Sequence, residues 1–118
     1  MKNLAPEITR QRLLIEGYYS IDVDEGRITE YLSELAKDLG LRTYGTATIH
    51  STGGAGQPEH EGFDAFIPLI DSGISLYIWS ASKFFAALLF TCKEFNIDQA
   101  VAITRDYFGA SEIVHFEF

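Results

Sequence analysis

The sequence predicts an α+β fold, an antiparallel β-sheet with two helices packed on one face. Two observations carry this. Apolar residues recur at helical spacing in two stretches, near residues 25–39 and 97–108. The other apolar runs are short, rich in strand formers and bounded by turn residues. If residues 84–92 form a strand, the order is β-α-β-β-β-β-α-β. Two helices can then cover one face of an antiparallel sheet.

The chain opens with a lead-in, residues 1–10, where Pro6 disfavours regular structure. Residues 12–20 read as the first strand. Asp22 and Asp24 then offer caps for a helix over 25–39, whose Ile28, Tyr31, Leu32, Leu35 and Leu39 share a face. Gly40 stands where a helix C-terminus takes a left-handed residue. Residues 41–49 are rich in strand formers, and the glycine-rich residues 51–62 read as a loop. An apolar run covers 63–70, with Pro68 pointing to an edge or an irregularity. Asp71-Ser72-Gly73 is a turn triplet. Residues 74–79 alternate, so Ile74, Leu76 and Ile78 are expected to face the helices and Ser75, Tyr77 and Trp79 the other side. Residues 84–92 fit helix or strand by periodicity alone. Asn96 and Asp98 introduce the second helix, which runs to about Phe108 and ends at Gly109. Residues 112–118 alternate as a last strand. No repeat or boundary interrupts the chain, so residues 1–118 read as one domain.

Composition narrows the function classes. At 118 residues and 47% hydrophobic, with nine Phe and six Tyr, the chain can build one packed core. A formal net charge of −8 argues against nucleic acid as the main partner, because phosphate binding needs clustered Lys and Arg. It argues equally against an anionic membrane surface. No apolar run reaches the ~20 residues that span a bilayer, and the N-terminus lacks the apolar stretch of a secretion signal. With Cys92 as the one cysteine no internal disulfide is possible, and a reducing cytoplasmic setting is expected. His50, His60 and His115 match no zinc spacing, so no metal is expected.

Reactive side chains concentrate between Asp71 and Cys92. Taken singly, Ser72 reads as a turn residue and Cys92 as a small buried residue ending a strand. Tyr77 and Trp79 read as strand-face packing, and Asp64 as a polar edge residue. The combination is more specific. Asp71-Ser72 precedes the alternating Ile74-Ser75-Leu76-Tyr77-Ile78-Trp79, and the next run ends Phe90-Thr91-Cys92, twenty residues after Ser72. This segment resembles the core of the small prokaryotic S-adenosylmethionine decarboxylases and aligns with it without a gap. Glu16-Gly17-Tyr18 and Thr48-Ile49-His50 sit where that family has similar short patterns. The resemblance also makes residues 84–92 a strand.

It implies a chemistry. In that family the chain cuts itself before the serine, whose hydroxyl attacks the preceding carbonyl to give an ester. Elimination then leaves dehydroalanine, which becomes a pyruvoyl group on the C-terminal fragment. That group is the electron sink as carbon dioxide leaves the substrate, and a cysteine reprotonates the product. Ser72 matches the pyruvoyl precursor and Cys92 the proton donor, with Asp71, Asp64 and Tyr77 at the family's other catalytic positions. Glu16, His50 and Trp79 match positions near the substrate. A serine is needed because its hydroxyl both attacks and leaves. A thiol suits proton donation because its ordinary pKa of ~8.5 is within reach of neutral pH. Gly73 is expected to let the turn distort for the attack.

Several family residues are replaced. The acidic residue before the serine is usually Glu, and here it is Asp71. Five residues after the serine the family has a histidine that assists elimination, and here it is Tyr77, whose ordinary pKa of ~10 makes it a poor base. Ser80-Ala81 stand where Pro-Glu follows the Trp, Asp64 where a second serine takes part in processing, and Thr52 where an aromatic residue follows the His. Two functions are therefore expected to compete. One is a pyruvoyl-dependent decarboxylase of S-adenosylmethionine, supplying aminopropyl groups for polyamines such as spermidine, or of a related amino acid. The other is a non-processing homologue that binds a small molecule or serves as a partner subunit. A homodimer is expected, because no helix covers the face carrying Tyr77 and Trp79, and the family's small members pair. Ser72 and Cys92 are expected to meet in a pocket lined by Asp64 and Tyr77.

Overall fold

The computed structural model describes all 118 residues. Six strands form one antiparallel sheet: β1 (Gln11–Tyr18), β2 (Thr48–Thr52), β3 (Gly62–Leu69), β4 (Ser72–Trp79), β5 (Phe84–Thr91) and β6 (Glu112–Glu117). Their spatial order is β2-β3-β4-β5-β1-β6, so the first strand is inserted between the fifth and the last. Helices α1 (Glu25–Asp38) and α2 (Ile97–Phe108) both lie on one face. Neither is long and apolar enough to cross a membrane.

Each helix starts where a side chain can satisfy a free N–H. Asp24 accepts from the Arg27 amide at 2.8 Å and Asn96 from the Gln99 amide at 2.9 Å. Gly109 ends α2 at φ 55°, a left-handed conformation that glycine adopts without strain. Ile28, Tyr31, Leu32 and Leu35 of α1 and Val101 and Phe108 of α2 are buried against the sheet. The sheet answers with Leu13, Ile15, Ile67, Ile74, Leu76 and Leu89, all fully or almost fully buried. Phe108 stacks on Phe85 at 4.5 Å between ring centroids and meets Tyr31 at a tilt at 4.7 Å. The buried Tyr31 hydroxyl meets Thr104 Oγ1 at 2.8 Å, and Thr104 in turn donates to the Ala100 carbonyl. Burial pushes the Tyr31 phenol well above its ordinary range.

The expected faces of residues 74–79 are observed. Ile74, Leu76 and Ile78 are buried under the helices, while Ser75, Tyr77 and Trp79 are partly or fully exposed on the opposite face. Residues 84–92 are a strand through Thr91, as the resemblance implied.

Two expectations are corrected. Residues 41–47 are not part of β2. They run irregularly past the β3–β4 turn, with one bridge of the ladder type, from Thr43 to Leu69, and β2 occupies Thr48–Thr52 instead. Pro68 explains the shift. The ladder between β2 and β3 begins at Thr48 opposite Phe66, and beyond it Pro68 has no N–H to offer. Its carbonyl alone is used, accepting from the Tyr44 amide at 3.2 Å. Gly73 is the second correction. Its φ is not in the left-handed region; Ser72 before it has φ 116°. Gly73 instead leaves room for a ring, since a Cβ there would lie 2.5 Å from Phe66 Cε2.

Candidate active site

The residues singled out from the sequence fall into two groups. The first surrounds the β3–β4 turn. Leu69 pairs with Ser72, which leaves Ile70 and Asp71 as the two residues of a tight hairpin. Such short connections ordinarily need a positive φ, and here it falls on Ser72 rather than on a glycine. An L-residue in that region is strained by about 1–2 kcal/mol. The strained residue is thus the candidate nucleophile, next to the bond it would cut.

Asp71 is held on both its side chain and its carbonyl. Its carboxylate is almost wholly buried and forms the chain's one ion pair, Arg42 Nη2 to Oδ1 at 2.9 Å. The Arg42 amide donates to Oδ2 at 3.1 Å, and Arg42 Nε lies 3.5 Å from the same oxygen. The Ile70 amide donates back to the Arg42 carbonyl at 2.8 Å. The hydrogen bond from Arg42 holds the Asp71 carboxyl below the usual carboxylate range, and Asp71 raises Arg42 in return. The Asp71 carbonyl oxygen accepts from the Cys92 amide at 2.9 Å. That puts the Cys92 backbone directly beside the Asp71–Ser72 peptide. Cys92 is exposed, not buried as a residue ending an apolar strand usually is, because β5 ends at Thr91. Thr91 is the buried member, its hydroxyl donating to the Lys93 carbonyl at 2.7 Å.

The second group is a transverse row on the face away from the helices. Strand register sets Glu16 opposite Ala86, Ala86 opposite Tyr77, Tyr77 opposite Asp64, and Asp64 opposite His50. Directly paired side chains are close neighbours, with Cβ atoms about 5 Å apart. His50, Asp64 and Tyr77 share an open hollow of about 340 Å³ with Thr48, Phe66 and Ser75. One step along the strands, Trp79 packs on Phe84 at 5.3 Å and Phe84 on Tyr18 at 5.5 Å. Glu16, His50 and Trp79, the expected substrate-side residues, therefore lie on one face.

The two groups do not meet within the chain. Ser72 and Tyr77 are five residues apart on β4, about 16 Å at the rise of an extended strand. Neither Ser72 nor Cys92 lines any of the four cavities. The expected pocket joining Ser72 and Cys92 to Asp64 and Tyr77 is absent from the single chain, because Tyr77 and its register partner Asp64 stand five residues along their strands from the Leu69–Ser72 pair. Arg42 was not anticipated at all. It stands in a segment read as strand, and nothing local marks its partner 29 residues away.

The turn holds what an N-to-O acyl shift needs: a hydroxyl beside a peptide carbonyl, a strained backbone there, and an N–H on the carbonyl oxygen where negative charge develops. These residues fit a serine-derived pyruvoyl group as far as the attack. The sequence profile of the S-adenosylmethionine decarboxylase family matches residues 12–118. The crystal structure of the adenosylmethionine decarboxylase from Aquifex aeolicus VF5 superposes with a TM-score of 0.71, over 94% of this chain and 89% of that one, at 16% identity. At that identity the likeness is one of fold. No curated protein sequence matches significantly. The family profile extends over nearly the whole chain and includes both groups of candidate residues, and by that match the protein belongs to the S-adenosylmethionine decarboxylase family.

Proposed function

We propose that the chain is a pyruvoyl-dependent decarboxylase that prepares itself by cutting at Asp71–Ser72 and acts on S-adenosylmethionine or a related amino acid. The observation that carries this is the turn, with Ser72 strained at φ 116° and the Asp71 carbonyl bonded to the Cys92 amide. Ser72 Oγ attacks the Asp71 carbonyl carbon, and its proton passes to the departing Ser72 nitrogen. The C–O bond forms first, giving a tetrahedral oxyanion, and its collapse breaks the C–N bond and leaves an ester and a free amine. The Cys92 N–H stabilises the intervening oxyanion. Loss of the Ser72 α-proton to a base then breaks the Ser72 Cβ–Oγ bond, expels the main-chain α-carboxylate of Asp71 as the new C-terminus, and leaves dehydroalanine. Tautomerisation to an imine and hydrolysis by water release ammonia and leave the pyruvoyl. Once formed, the pyruvoyl supplies an electron sink for loss of carbon dioxide. Cys92, exposed beside the turn, would return a proton to the product carbon from Sγ.

A second copy is the natural occupant of the uncovered sheet face. Tyr18, Phe66, Tyr77, Phe90, Val114 and Phe116 are each more than a third exposed on the uncovered face. An apolar face of that extent favours an interface. Sedimentation at micromolar concentration should give a dimer, and Phe116→Glu should shift it to monomer.

A second reading is favoured by Tyr77, because a phenol is a poor base at neutral pH. It is the non-processing homologue that binds a small molecule or a partner. Intact mass spectrometry of the purified protein separates the two. Fragments ending at Asp71 and beginning at residue 72 support the decarboxylase. A single uncut chain, unchanged on long incubation and on hydroxylamine treatment, leaves the binding role.

A further inference from the structure

We propose that Arg42 is a positioning residue for self-cleavage, clamping Asp71 so that its carbonyl is presented to Ser72. This rests on the self-cleavage reading above. Three contacts tie one residue to the turn. The Arg42 guanidinium and the Arg42 amide both donate to the Asp71 carboxylate, and the Arg42 carbonyl accepts from the Ile70 amide. A planar guanidinium fits a carboxylate on two sides, which fixes orientation as well as charge. Both residues of the hairpin, Ile70 and Asp71, are therefore pinned from the same segment. The pin is needed. A strained φ persists only when its surroundings over-determine it, and Ser72 lies next to the clamped residue. The far side of the turn is fixed by the Cys92 amide on the Asp71 carbonyl. With the carboxylate and the carbonyl both held, the peptide plane between Asp71 and Ser72 has little freedom to rotate. Release of the carboxylate lets the turn relax, lowers the strain at Ser72 and swings the carbonyl off its donor. Lys93 adds positive charge near Asp71, but its ammonium bonds the Gly40 carbonyl at 2.7 Å, so it does not replace the clamp. Arg42 is largely exposed, so changing it leaves the core intact.

The test measures cleavage and turn geometry separately. Cleavage of freshly made full-length protein is followed by intact mass for the parent, Arg42→Met, Asp71→Asn, the double variant and Arg42→Lys. Arg42→Met and Asp71→Asn should each cleave about tenfold more slowly, the share of one strained residue. The double variant should be no slower than either, because one interaction is lost only once. Arg42→Lys, which keeps the charge without the fork, should fall between. In a Ser72→Ala background, which cannot cleave, Arg42→Met should raise hydrogen exchange at the Cys92 amide about tenfold while distant core amides are unchanged. Parental cleavage in Arg42→Met, additive losses in the double variant, or an unchanged Cys92 amide overturns the clamp while self-cleavage stands. A parent that never cleaves and yields no fragment with hydroxylamine overturns the self-cleavage reading, and the processing role of Arg42 with it.

Discussion

Replacing Ser72 with glycine should make the protein more stable than replacing it with alanine. The reasoning starts from φ 116° at Ser72. An L-residue there costs about 1–2 kcal/mol, and glycine does not carry that cost. Glycine gives part of the gain back, about 0.5–1 kcal/mol, through the greater freedom of its unfolded chain. The net advantage of Ser72→Gly over Ser72→Ala is then about 1 kcal/mol. For a chain of this size that is a rise in Tm of about 3–5 °C. Both variants lack the nucleophile, so both remain uncut and can be compared without fragments present. Thermal melts and urea unfolding at neutral pH give the difference directly. If Ser72→Gly melts at or below Ser72→Ala, the backbone at the turn is not strained. The strain itself, about 1–2 kcal/mol released at the bond to be cut, is a gain in rate of roughly 5- to 30-fold, and that contribution would then be absent.

Asp71 carries a pH signature of defined sign. Its folded pKa lies below the unfolded one because of Arg42, so the pair stabilises the fold above the unfolded value and that contribution is lost as pH falls through the folded value. In a Ser72→Ala background, Asp71→Asn should therefore be less stable by urea unfolding at about pH 7, with the deficit shrinking as pH falls through the depressed folded value. Tyr31→Phe should cost about 1 kcal/mol by urea unfolding, and not more, because Thr104 keeps its bond to the Ala100 carbonyl. A histidine at position 77 can reach Ser72 only from a second copy, so Tyr77→His should accelerate self-cleavage by at least about tenfold in the dimer and not in a monomeric variant; an unchanged rate by intact mass would mean another group supplies the base.

Much of the fold was legible because its signals are local. Asp24 and Asn96 cap helices within three residues of themselves, and alternation across Ile74, Leu76 and Ile78 assigns faces without a partner strand. Failures came where a residue's meaning depends on a distant one. Residues 41–47 have the composition of a strand, but across from them Leu69 bridges Thr43 alone and Pro68, facing Tyr44, cannot donate to a ladder. Gly73 looked like a conformational hinge, yet the ring of Phe66 is what requires it. Arg42 and Asp71 are brought together only by the completed hairpin.

The candidate site shows the same division, with one difference. The residue types were legible, but their arrangement as one pocket was not a consequence of the sequence, and strand geometry already spoke against it. Ser72 and Tyr77 stand five residues apart in a single strand, so a span of about 16 Å separates them whatever the rest of the fold does. Asp64 is tied to Tyr77 by register and is as distant from Ser72 as Tyr77 is. Cys92 is tied to Asp71 by a backbone bond and stays with the serine. A strand cannot fold back on itself within five residues. If these residues work on one bond, they come from two surfaces, and the uncovered face with its exposed Phe66, Phe90 and Phe116 is the surface a second copy would bring.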